Sequence, residues 1–232
     1  MIKINIQIVI LLFFTSCIRQ TKYFQPTGIN NKTEEFKQNK TDWIALVDKV
    51  GVDVYTRIGD SVFCGEINCN VPPVKGVDIP TFRVLAGTSY AKDKYNVYYP
   101  LQIMCNDSED CGVCYCTKYI IQNANPATFR YLGKEYATDG INVYFRGELI
   151  KGADGVTFKV IEGPEFFYYA IDKLNVYKHD EIFLGADPNT FYYDKEDSRN
   201  IDTKQQHNYI IGDKLKEWEY IPPHSIKEIE KK

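Results

Sequence analysis

The chain has 232 residues, 44% hydrophobic and 25% charged, with 28 basic residues against 31 acidic ones and 18 tyrosines beside 3 histidines. A net charge of -3 with no basic patch excludes the electrostatic footprint of a nucleic-acid binder. The length is enough to bury a real core in one large or two small domains.

Met1-Ile2-Lys3 carries one positive charge, and Ile4 to Phe14 is an apolar run broken only by Asn5 and Gln7, too short to span a bilayer permanently. A charge, an apolar run and small residues in that order form a secretory signal. The run closes on Phe14-Thr15-Ser16-Cys17, which resembles the lipobox of bacterial lipoproteins with Phe14 in place of the usual leucine. The resemblance implies removal of 1–16 and lipidation of Cys17, and several acyl chains anchor stably where one alone is marginal. Residues 17–42 then hold the lipidated cysteine and a polar, aliphatic-poor tether without sustained periodicity. Two N-x-T triplets, at Asn31 and Asn39, have no function in a bacterial lipoprotein.

Beyond Cys17 there are six cysteines: Cys64, Cys69, Cys105, Cys111, Cys114 and Cys116. An even number in an exported chain predicts disulfides of undetermined pairing. The rivals are a thiolate metal site and thiol exchange, both resting on Cys111-x-x-Cys114. The metal reading lacks a second C-x-x-C and a nearby histidine, and thiol exchange lacks a βαβ context, so no metal and no cofactor is assigned.

Aligning the chain with itself reveals internal repeats. Tyr90 to Tyr98, Tyr136 to Tyr144 and Tyr169 to Tyr177 share the pattern Y-A-x-D-x-x-N-V-Y, and Asp48 to Tyr55 reads as a degenerate earlier copy. A second signature follows each copy, at Asp78 to Phe82, Asn125 to Phe129, Asp154 to Phe158 and Asp187 to Phe191, with the form D/N-x-x-T-F. The unit is about thirty residues long, and the longer steps carry the cysteine-rich insertions, 60–73 and 104–122. Asp93, Asn96, Asp139, Asn142, Asp172 and Asn175 sit where a β-hairpin turns, so the alternating residues around them predict paired strands. Residues 143–150 predict a second hairpin about Arg146-Gly147. The D-x-x-T-F element predicts a one-turn helix capped by its Asp, with a short strand after its Phe. The predicted fold is all-β: tandem antiparallel hairpin and meander repeats over 43–200 with one-turn helices between strands. Residues 201–232 read as a C-terminal cap and a charged, frayed tail.

The tandem Y-A-x-D-K-x-N-V-Y and G-A-D-x-x-T-F motifs resemble the DKNYY family of bacterial envelope proteins, over Asp48 to Asp194. Gly140 replaces the lysine after Asp139, and the cysteine insertions lie outside the consensus. The resemblance brings no catalytic residues with it.

The turn carboxylates have a second reading as calcium ligands, but one Asp and one Asn per turn is too few, and Asx-turns account for them. Tyr98, Tyr144 and Tyr177 are expected to fill cross-strand packing positions with hydroxyls reaching solvent. The pairs Tyr98-Tyr99, Tyr168-Tyr169 and Tyr192-Tyr193 should each leave one ring less buried, a partial aromatic surface. No G-x-S-x-G or H-E-x-x-H occurs, His207 and His224 sit in unlike contexts, and His179 falls in a solvated turn. The sequence therefore reads as a non-enzymatic envelope lipoprotein, on the outer membrane or cell surface rather than the inner membrane. Its partners are the membrane, through the lipid, and an envelope protein or glycan. The alternative is an envelope enzyme or a glycan- or metal-binding protein using the cysteine-rich insert.

Overall fold

The structure, a computed structural model, describes residues 43–65, 71–104, 113–163, 167–194, 209–221 and 225–231. The expected leader, Cys17 and the expected tether, together with Cys69, Cys105, Cys111, His207 and His224, lie outside the described residues. Among those described, the chain is all-β: four four-stranded sheets, one three-stranded sheet and a separate two-stranded hairpin. Among the described residues no helix is long and apolar enough to cross a membrane.

The five larger sheets are successive antiparallel meanders, here units 1 to 5 in chain order. Unit 3 shows the complete form, Arg130–Gly133, Tyr136–Thr138, Val143–Phe145 and Glu148–Leu149, each strand paired with the next. Unit 4 repeats it with Lys159–Val160, Tyr169–Ile171, Val176–Lys178 and Glu181–Ile182. Unit 2 contains Arg83–Leu85, Ala91–Lys92 and Val97–Tyr98, with Trp43–Ala45 added outside Arg83–Leu85.

Two expectations about the ends of the array are corrected. The first copy of the motif is not Asp48 to Tyr55 but Tyr55 to Phe63: Thr56 pairs with Phe63 as Ala137 pairs with Tyr144. Tyr55 is thus the first tyrosine of its copy, and unit 1 comprises Gly51–Val52, Tyr55–Ile58 and Ser61–Cys64. The carboxyl end is a further repeat instead of a cap. Unit 5 joins Tyr192–Tyr193, Tyr209–Gly212, Glu217–Ile221 and Ser225–Ile229, drawing strands from both sides of residue 200. The tail expected to fray is its edge strand, in register with Glu217–Ile221 over five residue pairs. One expectation about the connections also changes. Of the four T-F elements, only Ile79–Thr81 forms a one-turn 3-10 helix, capped by Asp78; the equivalent elements of units 3, 4 and 5 are turns.

Sheets buried on both faces show no inside–outside alternation, which explains why aromatic residues crowd both faces here. Tyr136, Val143 and Phe145 point into the core shared with unit 4, while Ala137 and Tyr144 point into the core shared with unit 2. The small residue of Y-A has a definite partner. Ala91, Ala137 and Ala170 lie directly across from Tyr98, Tyr144 and Tyr177, leaving room above the alanine methyl for the ring.

The Phe of each T-F element wedges between two tyrosines of neighbouring units. Phe82 lies 5.6 Å from Tyr55 and 5.5 Å from Tyr98. Phe129 lies 5.5 Å from Tyr90 and 5.9 Å from Tyr144, and Phe158 lies 5.4 Å from both Tyr136 and Tyr177. In unit 5 Trp218 replaces the second tyrosine in the same cluster as Phe191.

A hydroxyl ladder reinforces this stack. Tyr55 donates to the Ser89 carbonyl at 3.2 Å, Tyr90 to Glu135 at 3.0 Å and Tyr136 to Tyr168 at 2.9 Å, in each case the residue before the next unit's first tyrosine. Burial pushes the Tyr55, Tyr90 and Tyr136 hydroxyls well above their ordinary range.

Removing the wedge at Phe158→Ala is expected to cost about 3–5 kcal/mol, and overfilling beneath Tyr177 with Ala170→Leu about 1–3 kcal/mol. Chemical denaturation of the two variants beside the parent measures both.

Candidate functional site

The most strongly repeated polar arrangement is the aspartate turn. In unit 4 the Asp172 N–H donates to the Asn175 carbonyl at 3.0 Å, closing the hairpin. Asp172 Oδ1 then accepts from the N–H groups of Leu174 and Asn175, at 2.7 and 2.8 Å. Oδ2 accepts from the Tyr177 hydroxyl at 2.7 Å and from the Asp154 N–H at 3.0 Å. Asn175 donates from its side-chain amide to the Tyr177 hydroxyl at 3.3 Å.

Unit 2 is built the same way. Asp93 Oδ1 accepts from Tyr95 and Asn96, and Oδ2 from the Tyr98 hydroxyl and the Asp78 N–H. In unit 3 Asp139 Oδ2 takes the Tyr144 hydroxyl at 3.2 Å and the N–H of Asn125, and the Asn142 amide joins them. Each of these carboxylates is occupied by N–H and O–H donors. That is the geometry of an Asx-turn extended into a tertiary brace, and it leaves no oxygen turned outward to share with a cation.

The tyrosine hydroxyls expected to reach solvent are buried instead, because the carboxylate beside them is their acceptor. Burial first, then Asp139, pushes Tyr144 up to about 12; burial and the bond to Asp172 do the same for Tyr177. For Asp172 burial raises the carboxyl, but the donors of Asp154, Tyr177, Leu174 and Asn175 outweigh it and hold it below its ordinary value. Asp139 is lowered by the same balance, with burial opposed by the N–H groups of Asn142 and Ile141. Of each tyrosine pair, Tyr99 and Tyr168 are the half-buried members, whereas Tyr192 and Tyr193 are both half-buried.

The T-F element belongs to the turn that follows it in the chain, not to the copy before it. Its Thr accepts an N–H from the residue after the turn Asp: Lys94 to Thr81, Lys173 to Thr157 and Lys214 to Thr190. The same lysines pair with Asp78, Asp154 and Asp187 at 2.8, 3.0 and 3.1 Å. Unit 3 changes both partners together: Asn125 stands for the Asp and Gly140 for the Lys. Gly140 has φ +94° and donates to Thr138 Oγ1 instead, so the departure from the consensus is a different turn, not a missing contact.

Sequence reasoning missed one such turn. Asp213 accepts from Leu215, Lys216 and the Asp187 N–H, as Asp172 does from its partners. The readable signal was Asp213-Lys214-Leu215, identical to Asp172-Lys173-Leu174, but Lys216 and Trp218 replace the N and final Y of the motif.

The cysteine-rich insertions occupy one equivalent position. The N–H groups of Ile150 and Phe183, each the residue just after the fourth strand, donate to the carbonyls of Val143 and Val176; Val74 to Val62 and Ile121 to Val97 are the same contacts in units 1 and 2. The insertion that begins at Gly65 and the hairpin of Leu101–Met104 with Val113–Thr117 therefore both fall at the position of the short turn between third and fourth strands. Cys64, ending unit 1's third strand, is bonded to Cys116 in the hairpin inserted into unit 2. Cys114 is disulfide-bonded as well. A Cβ on Gly65 would meet the Cys114 carbonyl at 2.7 Å, so a glycine is needed where the two insertions touch. Among the described residues no three His, Cys, Asp or Glu side chains group as a metal site.

His179 is not a solvated turn residue. It is half-buried at φ +58°, against Phe145 at 5.4 Å and Tyr168 at 5.3 Å. Burial first, then Lys178 and Arg146, lowers its pKa, so it is held neutral as a packing group.

These features define a tandem β-meander repeat protein in which units 2 to 5 each carry one buried aspartate turn. A model of the DKNYY family matches residues 102–181 and again 142–232, together more than half of the chain. The chain belongs to the DKNYY family, and the second match takes in unit 5, beyond Asp194. No curated protein and no solved structure matches it.

Replacing Asp172 with Asn keeps the shape but removes the charge, and is expected to cost about 1.5–3 kcal/mol at neutral pH. Carboxyls held below their ordinary value contribute stability that is full above about pH 5 and lost as pH falls through about 4 and below. Asp172→Asn should flatten part of that acid loss, read by urea denaturation from pH 7 to 3. Reducing the crosslink between Cys64 and Cys116, 52 residues apart, should lower stability by up to about 4 kcal/mol. Denaturation of the Cys64→Ala/Cys116→Ala variant measures that contribution apart from the other cysteines.

Proposed function

We propose that the chain is a membrane-anchored lipoprotein of the bacterial envelope, held through Cys17, whose repeat array acts as a non-enzymatic scaffold or binding protein on the outer membrane or cell surface. The observation that carries this reading is that the repeated aspartates and tyrosines are engaged with one another as internal braces, so the polar groups that define the family motif hold units together. The disulfide between Cys64 and Cys116 supports an oxidising compartment, which the secretory leader requires independently. The partners that fit are the bilayer, through the acyl chains, and an envelope protein or glycan on the exposed surface of the array.

Intact-mass measurement of the mature protein from membranes, with and without reductant, tests the anchor and thiol state together. Loss of 1–16 with acyl mass on Cys17, and an increase of two hydrogens per bond on reduction, is the expected result. An unmodified Cys17 within a longer mature chain overturns the anchor.

A further inference from the structure

The second residue after each turn Asp is a large apolar side chain aimed outward: Tyr95, Ile141, Leu174 and Leu215 are 65%, 79%, 68% and 72% exposed. Propensity for turns does not require this, because the position asks only for a side chain that can face solvent. The four residues are structurally equivalent, so they fall on the same edge of successive sheets, which stack about 10 Å apart. The gap between units 3 and 4 is bridged. The Gly155 N–H donates to the Ile141 carbonyl at 3.2 Å, bringing Val156, 77% exposed, between Ile141 and Leu174. The result is an apolar ridge along one side of the array, made of separate convex tips instead of a groove.

Its electrostatics are balanced. Lys94, Lys173 and Lys214 flank the tips, and each is paired with the Asp of its own T-F element. A ridge of isolated apolar tips in a neutral, zwitterionic border suits a surface that moulds itself around them. A bilayer interface does so, whereas a rigid partner would need a contiguous patch and a matching groove.

We propose that Tyr95, Ile141, Leu174 and Leu215, with Val156 between them, form a membrane-contacting ridge that lays the repeat array along the bilayer to which Cys17 attaches it. The inference rests on the anchored reading above. Residues 18–42 can extend up to roughly 80 Å, so the tether alone neither fixes the array at the surface nor prevents it from lying there. The ridge supplies the missing orientation. Because its lysines are already paired, contact should not depend on anionic lipid and should resist added salt.

The test uses the mature chain in phosphatidylcholine vesicles with brominated acyl chains, which quench tryptophan at short range. Leu174→Trp places a reporter on the ridge, and Ile182→Trp places one off the ridge, on unit 4's outer strand across from Tyr177, with the parent's tryptophan signal subtracted. Quenching of more than half at residue 174 and little at 182, unchanged by salt, is the expected result. Tyr95→Ser, Ile141→Ser and Leu215→Ser added to the ridge reporter should abolish it without altering the thermal unfolding midpoint. Intact mass of the same preparation reads Cys17 separately. Vesicle flotation with an acylated Cys17 and no quenching at 174 overturns the ridge but leaves the anchor standing. Quenching at 174 with Cys17 unmodified keeps the ridge and removes the anchor. A chain that sediments as a dimer with residue 174 unquenched assigns the ridge to contact between copies and overturns the proposal.

Discussion

The buried carboxylate at the hairpin turn is the constraint on which the array depends. One oxygen closes the turn locally, through the N–H groups two and three residues on. The other joins a tyrosine hydroxyl from the returning strand to the N–H that opens the T-F element. A single charged group thus couples the turn, the strand behind it and the connection from the previous unit. A charge this buried is tolerable because its donors replace the water it has lost.

From that joint the aromatic packing follows. Holding the start of the T-F element fixes where its Phe enters, and the Phe then fills the space between tyrosines of consecutive sheets. Neither a two-residue strand nor a single hairpin is stable alone in water, so the units gain their stability by stacking. The tyrosine excess is the outcome. Tyr98, Tyr144 and Tyr177 brace the carboxylates of units 2 to 4, and Tyr55, Tyr90 and Tyr136 reach the next unit's backbone. The disulfide between Cys64 and Cys116 adds a covalent tie between units 1 and 2, and both cysteines are buried in the core cluster that holds Tyr55, Phe82 and Tyr98.

Much of this was legible from residue order. Asp-x-x-Asn between alternating residues specifies a hairpin, because the Asx side chain closes its own turn whatever surrounds it. The strand after T-F and the second hairpin at Arg146-Gly147 are local signals of the same kind, whereas Cys64, expected in an insertion, ends a strand of unit 1. The ends of the array were misread where identity faded but geometry persisted. Tyr55 is followed by Thr, Arg and Ile instead of Ala, x and Asp, yet its ring and hydroxyl keep their places. Unit 5 retains Asp213 and Lys214 while Trp218 takes the tyrosine's space, a substitution that volume allows and a consensus pattern does not.

By itself, the sequence determined the all-β class, the hairpin turns and the length of the unit. These are consequences of short-range chemistry, in which a side chain acts on backbone within a few residues of itself. Only the tertiary structure decided that the tyrosine hydroxyls face inward to carboxylates, that each T-F element serves the turn after it, and that both insertions share one position. It also placed the apolar turn tips on a common edge. Those facts concern groups that are far apart along the chain, or equivalent positions in different units, and they become neighbours only when the sheets stack.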